Sequence, residues 1–204
     1  MATVLLYYIH PGHQHSHTNL QMQRAIGAVD GIGRVDLYSE YPRFNINIDR
    51  EQQRLVDHDF IVLQFPVFWY SGPSLLKEWI DLVLEYGFAY GSEGNALKGK
   101  KLMLAVTAGG PEQAYSSDGY QNHKLRTFLT PFQQTATLCK MEFVCPYVLY
   151  NSLHTEDTQR IEQHANGFVQ LIEAIRDDRF NLAAASAMDT ISVNELDQLT
   201  GEGA

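Results

Sequence analysis

Residues 64–91 read Gln-Phe-Pro-Val-Phe-Trp-Tyr-Ser-Gly-Pro-Ser-Leu-Leu-Lys-Glu-Trp-Ile-Asp-Leu-Val-Leu-Glu-Tyr-Gly-Phe-Ala-Tyr-Gly, and this stretch decides the fold. It starts as the end of an apolar segment, passes through an aromatic loop at 67–70 and continues with apolar residues at helical spacing, of which Leu75, Trp79 and Val83 form one stripe. A buried strand followed by a loop and an amphipathic helix indicates an open α/β sheet, whose ligands bind outside the carboxyl ends of the strands. An aromatic loop at that place favours a flat, conjugated ligand.

The same alternation extends along the chain on both sides of this stretch. Predicted strands cover 3–9, 34–38, 60–65, 101–106 and 143–150, and predicted helices cover 20–29, 49–56, 73–87, 122–138 and 161–175. We expect Asp49 to cap the second helix and Pro131 to interrupt the fourth. The alternation predicts an α/β fold with a five-stranded parallel sheet between two layers of helices. In the strand order 2-1-3-4-5 the last strand lies at the sheet edge, where Pro146 is tolerated.

Composition limits the function classes. The chain has 204 residues, which suits one domain, and a net charge of −9, which argues against nucleic-acid binding and against docking to anionic lipid. No apolar run reaches the length of a membrane span, so we expect no direct membrane insertion, and the first ten residues read as a strand rather than a signal peptide. Cys139 and Cys145 fit no redox or zinc pattern and are expected to be buried, which suits a cytoplasmic protein.

The loop from His10 to Asn19 joins the first strand to the first helix. Unpaired N–H groups at a helix start favour an anion, and Ser16, Thr18 and Asn19 add side-chain donors. No lysine or arginine lies in this loop, although His17 could add charge. Two alternatives remain open: ordinary helix capping by Ser16, and a zinc site at the alternating histidines His13, His15 and His17.

Two further loops follow the third and fourth predicted strands. In the loop Val67, Phe68, Trp69 and Tyr70, backbone amides could bind the polar edge of a ligand while Trp69 packs on its ring, unless these aromatic residues are simply core. In the loop Thr107, Ala108, Gly109 and Gly110, two glycines allow close approach of the backbone. Because the first, third and fourth strands are neighbours in the predicted order, we expect the three loops to converge on one crevice.

Short motifs are spread over most of the chain, from Val4 to Ile175. They are His10-Pro with Ser16-His-Thr-Asn19, Tyr41-Pro with Phe44-Asn-Ile, Phe65-Pro with Trp69-Tyr-Ser, Leu76-Lys-Glu-Trp79, Gly87-Phe-Ala-Tyr-Gly91, Leu97-Lys-Gly-Lys100, Thr107-Ala-Gly-Gly110 and Ala114-Tyr115-Ser. Together these motifs resemble the NAD(P)H dehydrogenase (quinone) family, whose fold is a flavodoxin-like three-layer sandwich. The nearest likeness is to the ancillary flavoproteins of glutathione-gated potassium efflux systems.

The resemblance implies a flavin, FMN or alternatively FAD, with NAD(P)H and a quinone as successive substrates of a ping-pong, two-electron reaction. It assigns the flavin phosphate and ribityl chain to His10 and to the run Ser16, His17, Thr18 and Asn19, and the isoalloxazine ring to Val67–Tyr70 and Thr107–Gly110. The N–H groups of Gly109 and Gly110 would stabilise negative charge on the reduced ring. Tyr115 is the implied catalytic residue; where animal quinone reductases carry a histidine partner for it, this chain has Gln121, with His123 two residues on.

The resemblance also implies a homodimer and a possible potassium efflux transporter as partner, so the protein could be peripheral to the inner membrane. We expect the dimer surface to include Phe88, Tyr90, Phe128 and Phe132. A mainly regulatory, transporter-binding flavoprotein and a one-electron flavodoxin-type carrier are the alternatives. We divide the chain into a flavodoxin-like flavin-binding domain at 1–178 and a C-terminal extension at 179–204. The extension is expected to lie outside the core and to hold a short helix near 193–199, and its residues from Leu182 onward are expected to be dispensable for dimerisation and flavin binding.

Overall fold

Strands and helices alternate along the chain in this computed structural model, which describes residues 1–12, 16–154 and 156–201. The strands are β1 (Val4–Tyr8), β2 (Ile32–Asp36), β3 (Phe60–Pro66), β4 (Lys101–Thr107), β5 (Glu142–Phe143) and β6 (Tyr147–Leu149). The helices are α1 (His17–Ile26), α2 (Leu37–Glu40), α3 (Ile48–Asp57), α4 (Ser74–Val83), α5 (Leu125–Phe128), α6 (Thr130–Leu138), α7 (Thr158–Arg176), α8 (Leu182–Ser186) and α9 (Leu196–Thr200), with 3₁₀ turns at Glu112–Ala114 and Val193–Glu195. Among the described residues, no helix combines the length and hydropathy that crossing a bilayer requires.

The strands form one parallel sheet in the order β2-β1-β3-β4-β5, with β6 also paired to β4. This confirms the predicted α/β class and strand order. Side chains of β1 alternate between two apolar clusters: Leu5 and Tyr7 belong to one, Val4 and Leu6 to the other. Because helices cover both faces, every residue of β1 is buried, which explains why its sequence is continuously apolar.

The predicted strand over 143–150 is interrupted in the structure. β5 and β6 both pair with β4, but Val144, Cys145 and Pro146 separate them. Proline has no N–H to donate to the hydrogen bonds of a sheet, which accounts for a break that includes Pro146. The same residue was the reason for placing this strand at the sheet edge. Cys139 and Cys145 are free thiols and both are buried, as predicted.

Several predicted element boundaries were wrong, for local reasons. The second strand ends at Asp36 rather than at residue 38, because the Asp36 side chain accepts the N–H of Ser39 and starts α2. The cap of α3 is Asn47, not Asp49, since the Asn47 side chain accepts from the backbone of Arg50. The helix predicted over 122–138 is the pair α5 and α6.

A buried carboxylate joins α3 to the sheet and to α4. Glu51 is fully buried and accepts hydrogen bonds from the Tyr7 and Tyr41 hydroxyls, each at 2.6 Å, and from the Trp79 indole at 3.0 Å. Arg54 donates to the same carboxylate at 2.6 Å. These partners satisfy a charge that would otherwise be costly inside the protein.

The C-terminal extension does not lie outside the core, contrary to expectation. Its side chains Ala185, Ile191, Leu196 and Leu199 are buried in the cluster that also contains Phe168 of α7. The predicted helix near 193–199 corresponds to the 3₁₀ turn and α9. The extension is too short to form its own core, but it completes this one. The domain boundary after residue 178 stays a prediction.

Candidate functional site

The described parts of the three loops meet at the carboxyl end of the sheet. They follow β1, β3 and β4, which are adjacent strands, and they surround a cavity of about 570 Å³. The lining residues are His10, Ser16, His17, Thr18, Asn19, Pro66, Val67, Phe68, Thr107, Gly109, Ser152 and Leu153. His13 and His15, and with them the zinc alternative, lie outside the described residues.

The polar end of the cavity is the start of α1. Ser16 is the N-cap residue, but its side chain makes no capping bond to the helix backbone, so the alternative of ordinary capping by Ser16 is wrong. The Asn19 amide instead donates to Ser16 Oγ and to Thr107 Oγ1, each at 3.1 Å, and ties this helix start to the end of β4. Among the described residues, the N–H groups of His17, Thr18 and Asn19 donate to no acceptor, so they are available to an anion.

Buried polar side chains surround this helix start. The Thr18 hydroxyl is buried and has no hydrogen-bond partner among the described residues, which is uncommon for a buried donor. His10 is buried, its Nδ1 accepts the N–H of Gly12 at 3.1 Å, and its ring lies 5.9 Å from that of Phe68. His17 is exposed. The described lining contains no lysine or arginine, so backbone N–H groups supply most of the positive field.

The loop after β3 is a tight turn with an unusual sequence. Phe68 and Ser71 exchange both backbone hydrogen bonds, at 2.9 and 3.0 Å, and the two residues between them have positive φ, 48° at Trp69 and 64° at Tyr70. Positive φ at both central positions is typical of a type I′ turn, which normally uses Asn-Gly. Bulky residues in this conformation are strained, and such strain is characteristic of functional sites.

The side chains of this turn are not core. Trp69 is 92% exposed, and Phe68 and Tyr70 are also exposed, so the alternative that these aromatics are packing residues is wrong. The N–H of Val67 donates to Thr107 and that of Phe68 to Ser71. Within the described chain, the N–H groups of Trp69 and Tyr70 take part in no such bond, so these two can bind a ligand.

The loop after β4 is held from outside by the segment that follows β6. Ala108 donates to Leu149 at 2.8 Å, and the N–H groups of Asn151 and Ser152 donate to Gly110 and Ala108 at 2.8 and 3.0 Å. Ala108 is buried, and Gly109 lies in the cavity wall. A Cβ on Gly110 would lie 2.8 Å from the Tyr120 hydroxyl, so a side chain there would require Tyr120 to move.

A second cavity of about 330 Å³ adjoins the first, and Val67, Gly109 and Leu153 line both. Its other walls are Trp69, Tyr70, Gly110, Tyr115, Tyr120 and Gln121. The two cavities thus form one cleft with a polar end at α1 and an aromatic end at Tyr115. Sequence reasoning missed Tyr120, Ser152 and Leu153, although Ser152 and Leu153 directly follow a strand whose carboxyl end faces the same edge of the sheet.

Tyr115 lines the aromatic end of the cleft. Burial raises the pKa of its hydroxyl above the ordinary value, and the neighbouring backbone of Gly110 partly offsets that rise. The Tyr115 ring lies 5.7 Å from that of Tyr150 and 6.3 Å from that of Phe128. His123 packs on the same Phe128 at 5.9 Å, and among the described contacts none joins it to Tyr115.

Comparison with known proteins agrees with this architecture. Residues 2–172 match a family described as having a flavodoxin-like fold, and the chain belongs to that family. The glutathione-regulated potassium-efflux system ancillary protein KefG of Cronobacter sakazakii is 45% identical over 149 residues, which cover 73% of this chain and 81% of that one.

Two solved structures are also similar. General stress protein 14 of Treponema denticola, in complex with FMN, has a TM-score of 0.80 and 34% identity and covers 85% of this chain and 99% of its own. An NADPH-quinone reductase of P. pentosaceus has a TM-score of 0.69 and 26% identity and covers 83% of this chain and 98% of its own. Proteins similar to this chain therefore include one that binds FMN and one that is a quinone reductase.

Proposed function

We propose that the protein is an NAD(P)H:quinone oxidoreductase that holds one FMN per chain. The observation that carries the proposal is the continuous cleft, which has an uncapped helix start at one end and a strained aromatic turn and Tyr115 at the other. The FMN of the Treponema relative and the quinone reductase of P. pentosaceus support it. FAD is the alternative flavin.

The chemistry of the cleft fits FMN. A phosphate needs several donors, and the first-turn N–H groups of α1 with the unpartnered hydroxyl of Thr18 provide them without a cation. A flavin ring needs a flat apolar wall with a few backbone donors, and Trp69 and Tyr70 provide both. His10 and Asn19 complete the polar end, and Ala108 and Gly109 form the floor of the loop after β4.

When bound, the flavin supplies the two-electron chemistry between nicotinamide and quinone. The chain supplies binding, orientation and a proton donor. Because burial keeps Tyr115 protonated at neutral pH, its O–H can donate to a substrate oxygen on which negative charge develops.

The first test is the cofactor. We expect the purified protein to be yellow, to release FMN on denaturation at about one per chain, and to oxidise NAD(P)H only when a quinone is present. A colourless protein that neither FMN nor FAD reconstitutes would refute the proposal.

The second test is Tyr115→Phe, which removes only the hydroxyl. Loss of general-acid assistance is expected to lower kcat with a quinone by about 10²-fold, while the Kd for FMN stays unchanged. Tyr86→Phe is the matched control, because Tyr86 is an exposed tyrosine that packs on Tyr90 and lines neither cavity. Equal kinetics in Tyr115→Phe and the wild type would remove Tyr115 from the mechanism.

We further propose a homodimer whose interface covers the aromatic end of the cleft. The predicted surface was partly wrong, because Phe132 is buried in the protomer. Trp69, Tyr70 and Tyr120 are exposed instead, and adjoining exposed aromatics are typical of an interface. Sedimentation should show a dimer, whose interface we expect to bury about 1,000 Å² or more of total surface. Trp69→Ala should weaken this dimer.

The KefG relative favours a second role as an ancillary subunit of a potassium efflux transporter, which would bring the protein to the inner membrane. In that role the protein would alter transporter flux even when its reductase activity is lost. Measuring flux with Tyr115→Phe separates the two functions: flux that is unaffected by the substitution supports the regulatory role, and flux that falls with kcat supports the enzymatic one.

A further inference from the structure

A third cavity, of about 190 Å³, shares Tyr115 with the aromatic end of the cleft, and we call it the side pocket. Because one side chain lines both cavities, they are adjacent. The described walls of the cleft contain no lysine and no arginine, whereas the side pocket is charged. Its charged side chains are Glu112, Lys124, Arg126 and Asp189.

The two cations of the side pocket differ in their partners. Lys124 forms an ion pair with Asp189 at 2.6 Å, so these two charges largely neutralise each other. The Arg126 guanidinium is held by neutral groups: its Nη2 donates to the Gln133 amide oxygen at 3.1 Å, and it packs on the Phe143 ring at 4.5 Å. Within the described chain, Arg126 forms no ion pair with a carboxylate, and its buried Nη1 has no hydrogen-bond partner.

A partly buried guanidinium without a counter-ion is costly, because neither water nor a carboxylate fully compensates its charge. Burial lowers the pKa of Arg126, which is the direction expected for a poorly solvated cation. Of the carboxylates in the described wall, Asp189 is already paired, and Glu112 is exposed to solvent, which screens its charge. An anion in the side pocket would therefore supply the missing compensation.

The proposed function brings such an anion to this place. NADH and NADPH both carry a diphosphate one ribose away from the nicotinamide ring, whereas a quinone needs no charge. Because the chain has a net charge of −9, a substrate of this kind benefits from a local cation. We propose that the side pocket binds the diphosphate of the nicotinamide dinucleotide, with Arg126 as its cation, while the nicotinamide ring lies beside Tyr115. The inference deepens the proposed function and rests on it.

The kinetic test compares Arg126→Met and Asp189→Asn with the wild-type holoprotein, with a neutral quinone as the acceptor. Loss of a charged contact in Arg126→Met should lower kcat/KM for NADH and for NADPH alike by about tenfold. Asp189→Asn frees Lys124 and should raise both values by about twofold to threefold. With N-methyl-dihydronicotinamide, which carries the ring but no phosphate, neither variant should differ from the wild type. Arg43→Met is the control, since Arg43 is an exposed arginine that lines none of the three cavities.

A second readout does not depend on activity. ADP-ribose, which carries the diphosphate but no nicotinamide, should bind the oxidised holoprotein in calorimetry, and adenosine should not compete with it. Its Kd should rise by about tenfold in Arg126→Met and fall by about twofold to threefold in Asp189→Asn, while the Kd for FMN stays unchanged. Because Asp189 and Lys124 are exposed, Asp189→Asn still tests the inference if Arg126→Met lowers Tm.

The outcomes separate the inference from the proposed function. Wild-type kcat/KM for NADH and NADPH in Arg126→Met, in an enzyme that reduces quinones, overturns the inference alone. An equal loss with N-methyl-dihydronicotinamide overturns it as well, because Arg126 would then act on the ring site. A loss confined to NADPH, or one seen only with a sulfonated quinone, assigns the side pocket to another anionic group and overturns it too. Binding of ADP-ribose that depends on Arg126, in a protein that oxidises neither nicotinamide, supports the site and refutes the proposed function.

Discussion

Replacing Trp69 by alanine and by glycine separates the two effects that its position implies. Trp69 has a φ of 48° and is 92% exposed, so its side chain contributes almost no burial to the fold of the free protein, while its backbone is strained. Alanine removes the ring and keeps the strain. Glycine removes both, because it adopts positive φ without steric cost.

The expected effects on stability differ between the two variants. The left-handed conformation costs a non-glycine residue about 1–2 kcal/mol, and glycine avoids this cost. The greater freedom of glycine in the unfolded chain offsets about 0.4–1 kcal/mol of the resulting stabilisation. Trp69→Gly should therefore be more stable than Trp69→Ala by about 1 kcal/mol, or about 2–4 °C in Tm for a chain of this size. Because Trp69 is almost fully exposed in the protomer, Trp69→Ala should lie within about 0.5 kcal/mol of the wild type at protein concentrations low enough to dissociate the proposed dimer.

The expected effects on flavin binding are the same in both variants. Loss of aromatic stacking is worth about 0.5–1.5 kcal/mol beyond area burial, so the Kd for FMN should rise by about 2- to 12-fold. Urea unfolding of the apoprotein measures stability, and quenching of flavin fluorescence measures affinity. Tyr86→Ala, an exposed aromatic on another loop, is the control.

Two results would refute this reasoning. If Trp69→Gly is no more stable than Trp69→Ala, the turn is not strained in solution. If both variants bind FMN like the wild type, the ring of Trp69 does not contact the flavin. If both variants bind FMN more weakly but Trp69→Gly is no more stable than Trp69→Ala, Trp69 contacts the flavin but its backbone is not strained.

Two further predictions concern the core around the extension. Leu199→Ala, which empties a fully buried position, should destabilise the protein by about 2–5 kcal/mol in urea unfolding. The matched variant Asp197→Ala, at an exposed neighbour, should change stability by less than about 0.5 kcal/mol, and equal effects would mean that the extension does not contribute to the core. His164 is buried against the Tyr147 ring at 4.3 Å, and burial, assisted by Arg160, lowers its pKa to about 3. Between that value and about 6.5 the unfolded chain binds a proton that the folded protein does not, so stability should fall with falling pH by up to about 1.4 kcal/mol per unit, and His164→Phe should flatten that slope.

The sheet and the convergence of the loops were predictable because each rests on local patterns. Continuous apolar runs such as Val4–Tyr8 and Phe60–Pro66 identify strands buried on both faces, and Pro146 indicated an edge position. Once the order is known, topology alone places the loops after β1, β3 and β4 side by side. No long-range side-chain contact has to be known for these steps.

The turn at Trp69 and Tyr70 could not be predicted, because neither residue type favours a positive φ. Sequence signals for a type I′ turn are Asn and Gly, and this loop has two large aromatics instead. Its conformation is imposed by the paired bonds of Phe68 and Ser71 and by the Val67 bond to β4. Tertiary structure overrides local preference here, which is expected mainly at functional sites.

The role of the extension was misjudged for a different reason. Ile191, Leu196 and Leu199 are isolated apolar residues in a polar segment, and a segment of that length gives no reliable periodicity. Their burial depends on the surface of α7 and on the open edge of β6, neither of which can be seen within the segment.

The strained turn and the C-terminal extension, neither of which sequence patterns predicted correctly, lie on opposite sides of the aromatic side chains Phe128, Tyr115 and Tyr150. The Tyr70 ring packs on Phe128 at 4.9 Å from the strained turn, and the Tyr115 ring approaches the same Phe128 at 6.3 Å while resting on Tyr150. The polar end of the cleft needs only a helix start and backbone donors, and these lie within the matched residues 2–172. The aromatic end is formed on one side by the strained turn at 69–70 and is flanked on the other by the extension at 179–204. The extension lies beyond the matched residues 2–172. Under the proposed function, differences in substrate between this protein and its relatives should therefore arise at the aromatic end, and substitutions at Asp189 and Thr190, which line the cavity beside Tyr115, should alter KM for the substrates before they alter affinity for the flavin.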